Sequence, residues 1–293
     1  MSDTRTLWVL ERAEWAEHEN RHTERVARFV EPHERRARTG RPHPVWDFLF
    51  TYYSLKPRQL RRWHPGFGIG LRGAERHLER AGYGNRDGVV TVTDEHLASR
   101  VDTVRFIAGL LAATASRPAR LNCFGLHEWA MVYRSSRPRH DRVPLRLGNA
   151  GTDAVVESMP LRCSHFDAYR FFTDAAVGRN SDTLSRNNQP AHEQPGCLHT
   201  NMDLYKWCYK LGPLVESELL MDCLDLAADA RMLDMQASPY DLADYGVTPI
   251  AIEDAGGRAE YVRLQQDIAQ RGMPLRARLS ARCEDLLAHG GVR

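Results

Sequence analysis

The sequence lacks the features that would place it in several specialised classes of protein. It has almost no net charge, since 40 Lys and Arg face 38 Asp and Glu, and so it has no overall basic field of the kind that attracts nucleic acid. No apolar run approaches the roughly 20 residues of a membrane helix. The first residues, MSDTRTLWVLERAEW, carry charge almost from the start and do not resemble a secretory signal. We therefore expect a cytoplasmic globular protein without a membrane partner.

Cysteine is sparse, and no two cysteines form a CxxC pair. A chain of 293 residues is large enough to build a core without disulfide staples, so we expect reduced thiols. Isolated cysteines behave mostly as small buried hydrophobic residues. The six positions are Cys123, Cys163, Cys197, Cys208, Cys223 and Cys283.

The periodicity of apolar residues predicts a mainly α fold, built as one helical domain over residues 1–293. The clearest helix covers 95–113, where Leu97, Val104 and Leu111 recur at the spacing of one helical face. Residues 117–200 are irregular, and we expect the functional site to form within about 117–245, because loops over a rigid scaffold commonly carry function.

The bounds of the other elements are predicted from prolines and glycines, which end or interrupt helices. Ser217 is expected to cap a helix. The segment 86–93 suits a short strand or an extended loop after a turn. The remaining helices are expected at 7–39 with a break at Pro32, at 45–53, at 202–235 with a break near Gly212–Pro213, and at 260–288 with a kink or break at Pro274.

Three short central segments share one arrangement, a cysteine before a histidine and a carboxylate shortly after it. They are CFGLHEW with Cys123, His127 and Glu128, RCSHFDAY with Cys163, His165 and Asp167, and GCLHTNMD with Cys197, His199 and Asp203. A histidine in such a segment is commonly a hydrogen-bonded core residue, but the threefold recurrence favours convergence on one site.

Two of these residues have the spacing of a metal-ligand pair. His199 and Asp203 are four apart, so on a helix both side chains share one face. Two histidines and one carboxylate with open positions suit catalytic zinc or non-haem iron. We therefore consider His127, His165, His199 and Asp203 as metal ligands, with Glu128 or Asp167 as base.

An HExxH pattern lies near the N-terminus, in EHENRH, with His18, Glu19 and His22. On a helix its two histidines share a face and could hold zinc. The flanking residues are charged, however, which indicates a solvated helix rather than one over a cleft. A second polar segment, LDMQASPYDLADYG, offers Asp234 and Asp241 as carboxylates, although aspartates at such turns commonly bind local backbone amides.

Aromatic and basic residues crowd the central segments. Aromatic rings beside arginine can stack a planar base and bind phosphate, although aromatic residues at helical spacing are commonly core. The basic stretch KPRQLRRWH supplies Lys56, Arg58, Arg61 and Arg62 as a candidate nucleic-acid contact. The candidates for substrate binding are Trp129, Tyr133, Tyr169, Tyr205, Trp207, Arg134 and Arg170.

Several long stretches resemble an actinobacterial family labelled 3-methyladenine DNA glycosylase. They include HPVWDFLFTYYSLKPRQLRRWHPG, ATASRPARLNCFGLHEWAMVYR, RCSHFDAYRFFT, QPGCLHTNMDLYKW and LDMQASPYDL, and the likeness covers nearly the whole chain. The resemblance implies a DNA-repair hydrolase that releases an alkylated purine from DNA or a nucleotide, without a cofactor.

Under that function, we expect specific roles for the central residues. Asp203 or Asp167 would activate water or stabilise the cationic sugar. Trp129, Tyr205 and Trp207 would stack against the base after it is flipped out of the DNA duplex, as base-modifying enzymes require.

Two alternatives remain open at the level of sequence. The first is a zinc- or iron-dependent enzyme that acts on a small molecule at the four ligands named above. The second is a non-catalytic protein that binds a nucleobase or nucleotide. The three functions differ in metal content, in DNA binding and in turnover.

Overall fold

The structure, a computed structural model, describes residues 7–135 and 143–290. It confirms the predicted class, since the chain is mainly α-helical with a small group of strands. The helices of the described chain are α1 (Arg12–Thr39), α2 (Phe48–Thr51), α3 (Pro57–Leu60), α4 (Asp94–Ala115), α5 (Leu126–Ala130), α6 (Gly148–Ser158), α7 (Phe166–Tyr169), α8 (Asp174–Val177), α9 (Gln189–His192), α10 (Leu198–Leu211), α11 (Ser217–Gln236) and α12 (Ala255–His289), with short 3-10 helices at Glu75–Glu79, Gly212–Leu214 and Ala243–Tyr245.

Within residues 7–135 and 143–290, four short strands form one sheet in the order β1-β2-β4-β3. They are β1 (Trp8–Leu10), β2 (Ile69–Arg72), β3 (Tyr83–Arg86) and β4 (Val89–Val92). β1 pairs with β2 in parallel, and the other two pairings are antiparallel. Asp87 and Gly88 join β3 to β4 with positive φ angles, the conformation that a tight hairpin turn requires. The extended segment predicted at 86–93 therefore belongs to a hairpin.

Two prolines, one predicted as a helix break and the other as a kink or break, lie inside continuous helices. Pro32 lies inside the continuous helix α1, and Pro274 lies inside α12. A proline removes one hydrogen bond from a helix interior, a cost that tertiary packing of the remaining turns can offset. The buried residues Val26 and Val30 anchor α1 directly before Pro32, and Leu279 and Cys283 anchor α12 after Pro274.

Three helix boundaries also differ from the predicted ones. The chain enters α1 only at Arg12, because residues 8–10 form β1. The helix predicted at 45–53 is reduced to α2, since the residues before it form a turn in which Asp47 accepts from the backbone of His43. Ser217 lies inside α11, where its hydroxyl accepts from the backbone of His64, and Glu216 occupies the cap position.

The core is organised around α10. Most of this helix is buried, and it packs against α11 and α12, while α12 also packs against α4. Gly272 of α12 allows the closest approach, because a Cβ at this position would overlap the side-chain oxygen of Asn201. Arg276 donates to that same oxygen at 2.8 Å. The first turn of α10, which carries His199, is thus fixed from the α12 side. No described helix is both long and apolar enough to span a bilayer.

Candidate functional site

The three cysteine–histidine segments converge. His127 lies on α5, His165 immediately precedes α7, and His199 lies in the first turn of α10. The His199 ring stands between the other two, with centroid separations of 4.6 Å from His127 and 5.3 Å from His165. All three histidines are buried.

His127 belongs to a first ion-pair network, formed by His127, Asp234, Arg231 and Glu128. Nε2 of His127 lies 2.7 Å from Oδ1 of Asp234. The other carboxylate oxygen of Asp234 accepts from Nη1 of Arg231 at 2.9 Å, and the same nitrogen donates to Glu128 at 2.9 Å. Arg231 and Asp234 are three residues apart on α11, so they share one face of that helix.

His165 belongs to a second network of the same kind, formed by His165, Asp203, Lys206 and Asp167. Nε2 of His165 lies 3.2 Å from Oδ2 of Asp203. Lys206 donates to Asp203 and to Asp167, each at 2.8 Å. Glu193, which follows α9, lies 3.4 Å from the same His165 nitrogen.

The two networks share a pattern of charge. Each joins one histidine, one aspartate, one basic side chain and a second carboxylate, and each is buried almost completely. Burying an unpaired charge is expensive, and complementary partners are what make such groups tolerable in a core. The two networks therefore hold a dense group of ionised side chains in fixed positions.

Ion pairing determines the protonation of both networks. Burial disfavours the charged form of His127, but the neighbouring Asp234 outweighs it and holds the pKa of His127 well above its usual value. The pKa of His165 is raised in the same way by Glu193 and Asp203, against the effect of burial. Burial likewise opposes ionisation of Asp203, yet Lys206 and His165 lower the pKa of this carboxyl.

His199 differs from its two neighbours. Burial, together with the positive charge of His127, lowers the pKa of His199 to about 3. Its ring nitrogens make no hydrogen bond with any residue in the described ranges. At neutral pH His199 is thus an uncharged imidazole whose nitrogens are available to a ligand.

A cavity of about 420 Å³ opens beside the two networks. This volume lies within the range of pockets for small molecules and cofactors. One carboxylate from each network, Glu128 and Asp167, lines it together with His199. The other lining residues are Phe48, Thr51, Tyr52, Met131, Ala168, Arg170, Phe171 and Arg231.

Asp167 is the most heavily paired carboxylate in the cavity wall. In addition to Lys206, Arg186 contacts it at 2.6 Å and Arg170 at 3.5 Å. Burial opposes ionisation, but Lys206 and Arg186 lower the pKa of Asp167. The guanidinium of Arg170 also lies 4.4 Å from the centre of the Phe171 ring. The mouth of the cavity therefore combines positive charge with an aromatic face.

The three cysteines of the converging segments lie on the other side of His199. Cys123, Cys163 and Cys197 line a small internal cleft together with His127 and His199. Sγ of Cys123 is 3.6 Å from Nδ1 of His127. Burial raises the pKa of Cys197 to about 11, so this thiol stays protonated at neutral pH.

The structure separates the predicted catalytic residues. Glu128 and Asp167 line the cavity, whereas Asp203 is buried behind it and is held by His165, Lys206 and the hydroxyl of Tyr53. Asp203 therefore orients its neighbours rather than facing the cavity.

Among the predicted substrate-binding residues, Arg170 lines the cavity. Trp129 donates to the backbone of Ala237, and Tyr133 donates to Glu157, which also pairs with Arg134. The remaining predicted aromatic residues are buried side chains of the main core: Tyr169, Tyr205 and Trp207. The rings that line the cavity are instead Phe48, Tyr52 and Phe171.

The basic stretch on and after α3 is exposed to solvent. Lys56, Arg58, Arg61 and Arg62 are all exposed, and Arg61 forms a paired contact with Glu34 at 2.7 and 2.8 Å. Lys56 follows the cavity residue Tyr52 by four positions in the sequence, but none of the four basic residues lines the cavity.

The HExxH residues are used for packing. His18 contacts Glu218 at 3.0 Å, while His22 is buried and lies 2.8 Å from the backbone oxygen of Leu60. Glu19 forms ion pairs with Arg76 and Arg80. The other predicted carboxylate, Asp241, is exposed and accepts from the backbone of Ala243.

The site also contains three residues that the sequence patterns did not predict as site residues: Arg231, Lys206 and Glu193. A usable signal exists for two of them, because Arg231 precedes Asp234 by three residues and Lys206 follows Asp203 by three. A basic and an acidic residue at this spacing share one face of a helix and can form an ion pair. Glu193 offers no such signal.

Comparison with known proteins adds no relative. No protein-family model matches the chain, and neither the curated proteins nor the solved structures contain a significant match.

Proposed function

We propose that the protein is a hydrolase that cleaves the N-glycosidic bond of an alkylated purine nucleotide, free or in DNA. One observation carries this proposal. The cavity of about 420 Å³ brings aromatic rings together with two carboxylates, Glu128 and Asp167, and an uncharged imidazole, His199. These are the groups that binding and hydrolysis of a purine nucleotide require.

The aromatic residues would hold the base. Tyr52 and Phe48 are stacked with their ring centres 4.7 Å apart, and Phe171 lines the same cavity. A flat base gains from stacking on such faces, which base-modifying enzymes use to hold an extruded nucleotide. The ring of Tyr52 is partly exposed and is the residue we expect to contact the base.

The carboxylates would stabilise the positive charge that develops on the sugar as the bond breaks. A cationic alkylated purine is already a good leaving group and needs little acid assistance. Asp167 stays ionised at neutral pH because Lys206 and Arg186 lower its pKa. His199 is uncharged, so one of its ring nitrogens can accept a hydrogen bond from the attacking water and orient it.

The exposed basic residues after Tyr52 would contact phosphate. Lys56, Arg58 and Arg62 project into solvent close in sequence to the cavity residue. Each phosphate contact should contribute about −0.9 to the slope of log affinity against log salt for duplex DNA.

The direct test is release of free base. Methylated DNA, N-alkylated purine nucleosides and the corresponding nucleotides are incubated with the protein, and free base is separated by chromatography. We expect release from at least one of these substrates and loss of release in Glu128→Gln. The control is Asp102→Asn, which removes an exposed carboxylate of α4 and should leave release unchanged. Binding without release would indicate the non-catalytic alternative, and no release from any substrate would overturn the proposal.

A further inference from the structure

We infer that His127, His199 and Asp234 form a binding site for one divalent transition-metal ion of the zinc or iron class. The hydrolysis proposed above requires no metal, so this site is an additional property of the protein. It would lie at the inner wall of the cavity, where His199 belongs both to the ligand group and to the lining.

The geometry of the three side chains carries the inference. Each offers one ligand atom, and the three atoms lie within 4.8 Å of one another in a fully buried setting. The rings of His127 and His199 are nearly perpendicular, at 82°. Two imidazole nitrogens and one carboxylate oxygen form the ligand set of catalytic zinc and non-haem iron sites, which keep further positions open.

His199 provides a second and independent observation. His199 is buried, with 5% of its surface exposed, yet neither of its ring nitrogens makes a hydrogen bond with any residue the structure describes. The ring lines both the cavity and the cysteine-lined cleft, so its nitrogens can be reached by a ligand. A metal ion bound to His199 would use one of them.

The residues around the group resemble the outer shell of a metal site. Arg231 donates to Oδ2 of Asp234, and Oδ1 faces Nε2 of His127, so a bound ion would replace the proton that these two atoms share. Sγ of Cys123 lies near the remaining ring nitrogen of His127. Such partners fix the orientation of ligands and commonly accompany metal-bound histidine and carboxylate.

The second network contains a similar group, His165, Glu193 and Asp203, but there the basic side chain bonds to the oxygen that a metal ion would need. Lys206 donates to Oδ2 of Asp203, the same oxygen that faces His165. A metal ion there would have to displace a buried ammonium group from its carboxylate. The first network therefore holds the better site, and the second serves as an internal control.

The test measures metal directly. The purified full-length chain, without an affinity tag, is stripped with a chelator, reloaded with Zn²⁺, desalted and analysed for metal by mass spectrometry. We expect about one zinc per chain, as a site of this ligand set would hold. His199→Ala and Asp234→Asn should lose at least about tenfold in zinc affinity, as loss of a ligand requires.

Two control variants separate this site from others. His192→Ala removes a partly exposed histidine of α9, and His165→Gln alters the second network. Both should retain zinc. The proposed ligand set would be overturned if the wild-type chain and His199→Ala held equal amounts of zinc. It would also be overturned if His165→Gln were the variant that lost zinc while His199→Ala and Asp234→Asn kept it.

A spectroscopic measurement keeps the inference testable if the variants fold poorly. Co²⁺ added to the stripped wild-type chain should give visible absorption bands of a low-symmetry nitrogen and oxygen site, saturating at about one equivalent. Absence of saturable binding would overturn the inference. Neither readout uses turnover, so failure of the proposed hydrolysis and failure of the metal site are distinguishable.

Discussion

Arg231 is the residue whose removal should be most costly to the fold. Its side chain is buried completely, and a single nitrogen, Nη1, donates to both Glu128 and Asp234. Arg231→Met preserves much of the apolar contact with Phe48, above whose ring the guanidinium lies at 3.8 Å. It leaves the buried carboxylate of Glu128 without a cation and Asp234 with His127 as its single cationic partner. Breaking a buried pair in this way costs about 3–5 kcal/mol in unfolding free energy.

A matched variant separates the effect of charge from that of shape. Arg231→Lys retains the positive charge, and since one nitrogen makes both contacts, an ammonium group can reproduce them. Nε and Nη2 of Arg231 have no hydrogen-bond partner within the described residues, so their removal costs little. We expect Arg231→Lys to lose well under half of what Arg231→Met loses.

The assay is urea-induced unfolding of the chelator-treated protein at pH 7, followed by circular dichroism. The midpoint should fall while the slope stays constant, because the surface exposed on unfolding is unchanged. The double variant Arg231→Met/Glu128→Gln should recover about 1 kcal/mol or more, since it removes one unpaired charge. A loss under about 1 kcal/mol in Arg231→Met would refute the buried ion-pair network, because such small values are typical of exposed pairs.

Three further predictions concern packing, pH and nucleic acid. Gly272→Ala should lower the unfolding free energy by about 1–3 kcal/mol in the same urea assay, because the added methyl group would overlap the side chain of Asn201. This loss is expected even though alanine favours helices, and an unchanged urea midpoint would contradict the close approach of Gly272 to Asn201. Since the pKa of His199 falls to about 3 in the folded chain and lies near 6.5 when unfolded, only the unfolded chain takes up this proton between those values. The unfolding free energy of the wild-type chain should therefore fall as pH drops from about 6 to 4. This fall should be steeper than that of His199→Asn by up to about 1.4 kcal/mol per pH unit, and parallel pH profiles of the two proteins would contradict the prediction. Arg58→Ala and Arg62→Ala should each reduce the salt dependence of DNA binding measured by fluorescence anisotropy, by about 0.9 in slope, and an unchanged slope would remove that residue from the DNA contact.

The sequence predicted elements whose signal is local. The helix at 95–113 is confirmed as α4, because its apolar residues recur at one period and Thr93 caps its first turn. The helix breaks expected at Pro32 and Pro274 are wrong, because proline is a local signal and the tertiary packing that holds each helix together is not. Strands β1 and β2 escaped prediction because a parallel pair between residues 8–10 and 69–72 depends on contacts distant in sequence.

The candidate site was predictable in part for the same reason. The repeated cysteine–histidine–carboxylate arrangement left two alternatives, separate core histidines or one shared site, and the structure brings His127, His165 and His199 together. The partner of His127 is Asp234, 107 residues further along the chain, and no local pattern encodes that pairing. The cavity rings Phe48 and Tyr52 come from a segment outside the predicted central region, and they reach the site only through folding.

The measurement that tests the central claim most directly is the single-turnover rate of base release by the wild-type chain and by Asp167→Asn. Asp167 is a carboxylate of the cavity wall, and its substitution leaves Lys206 paired with Asp203. We expect the wild-type chain to release base and the variant to be slower by about a hundredfold or more, as removal of a catalytic carboxylate requires. Equal rates in two equally folded proteins would contradict the assignment of this cavity as the active site.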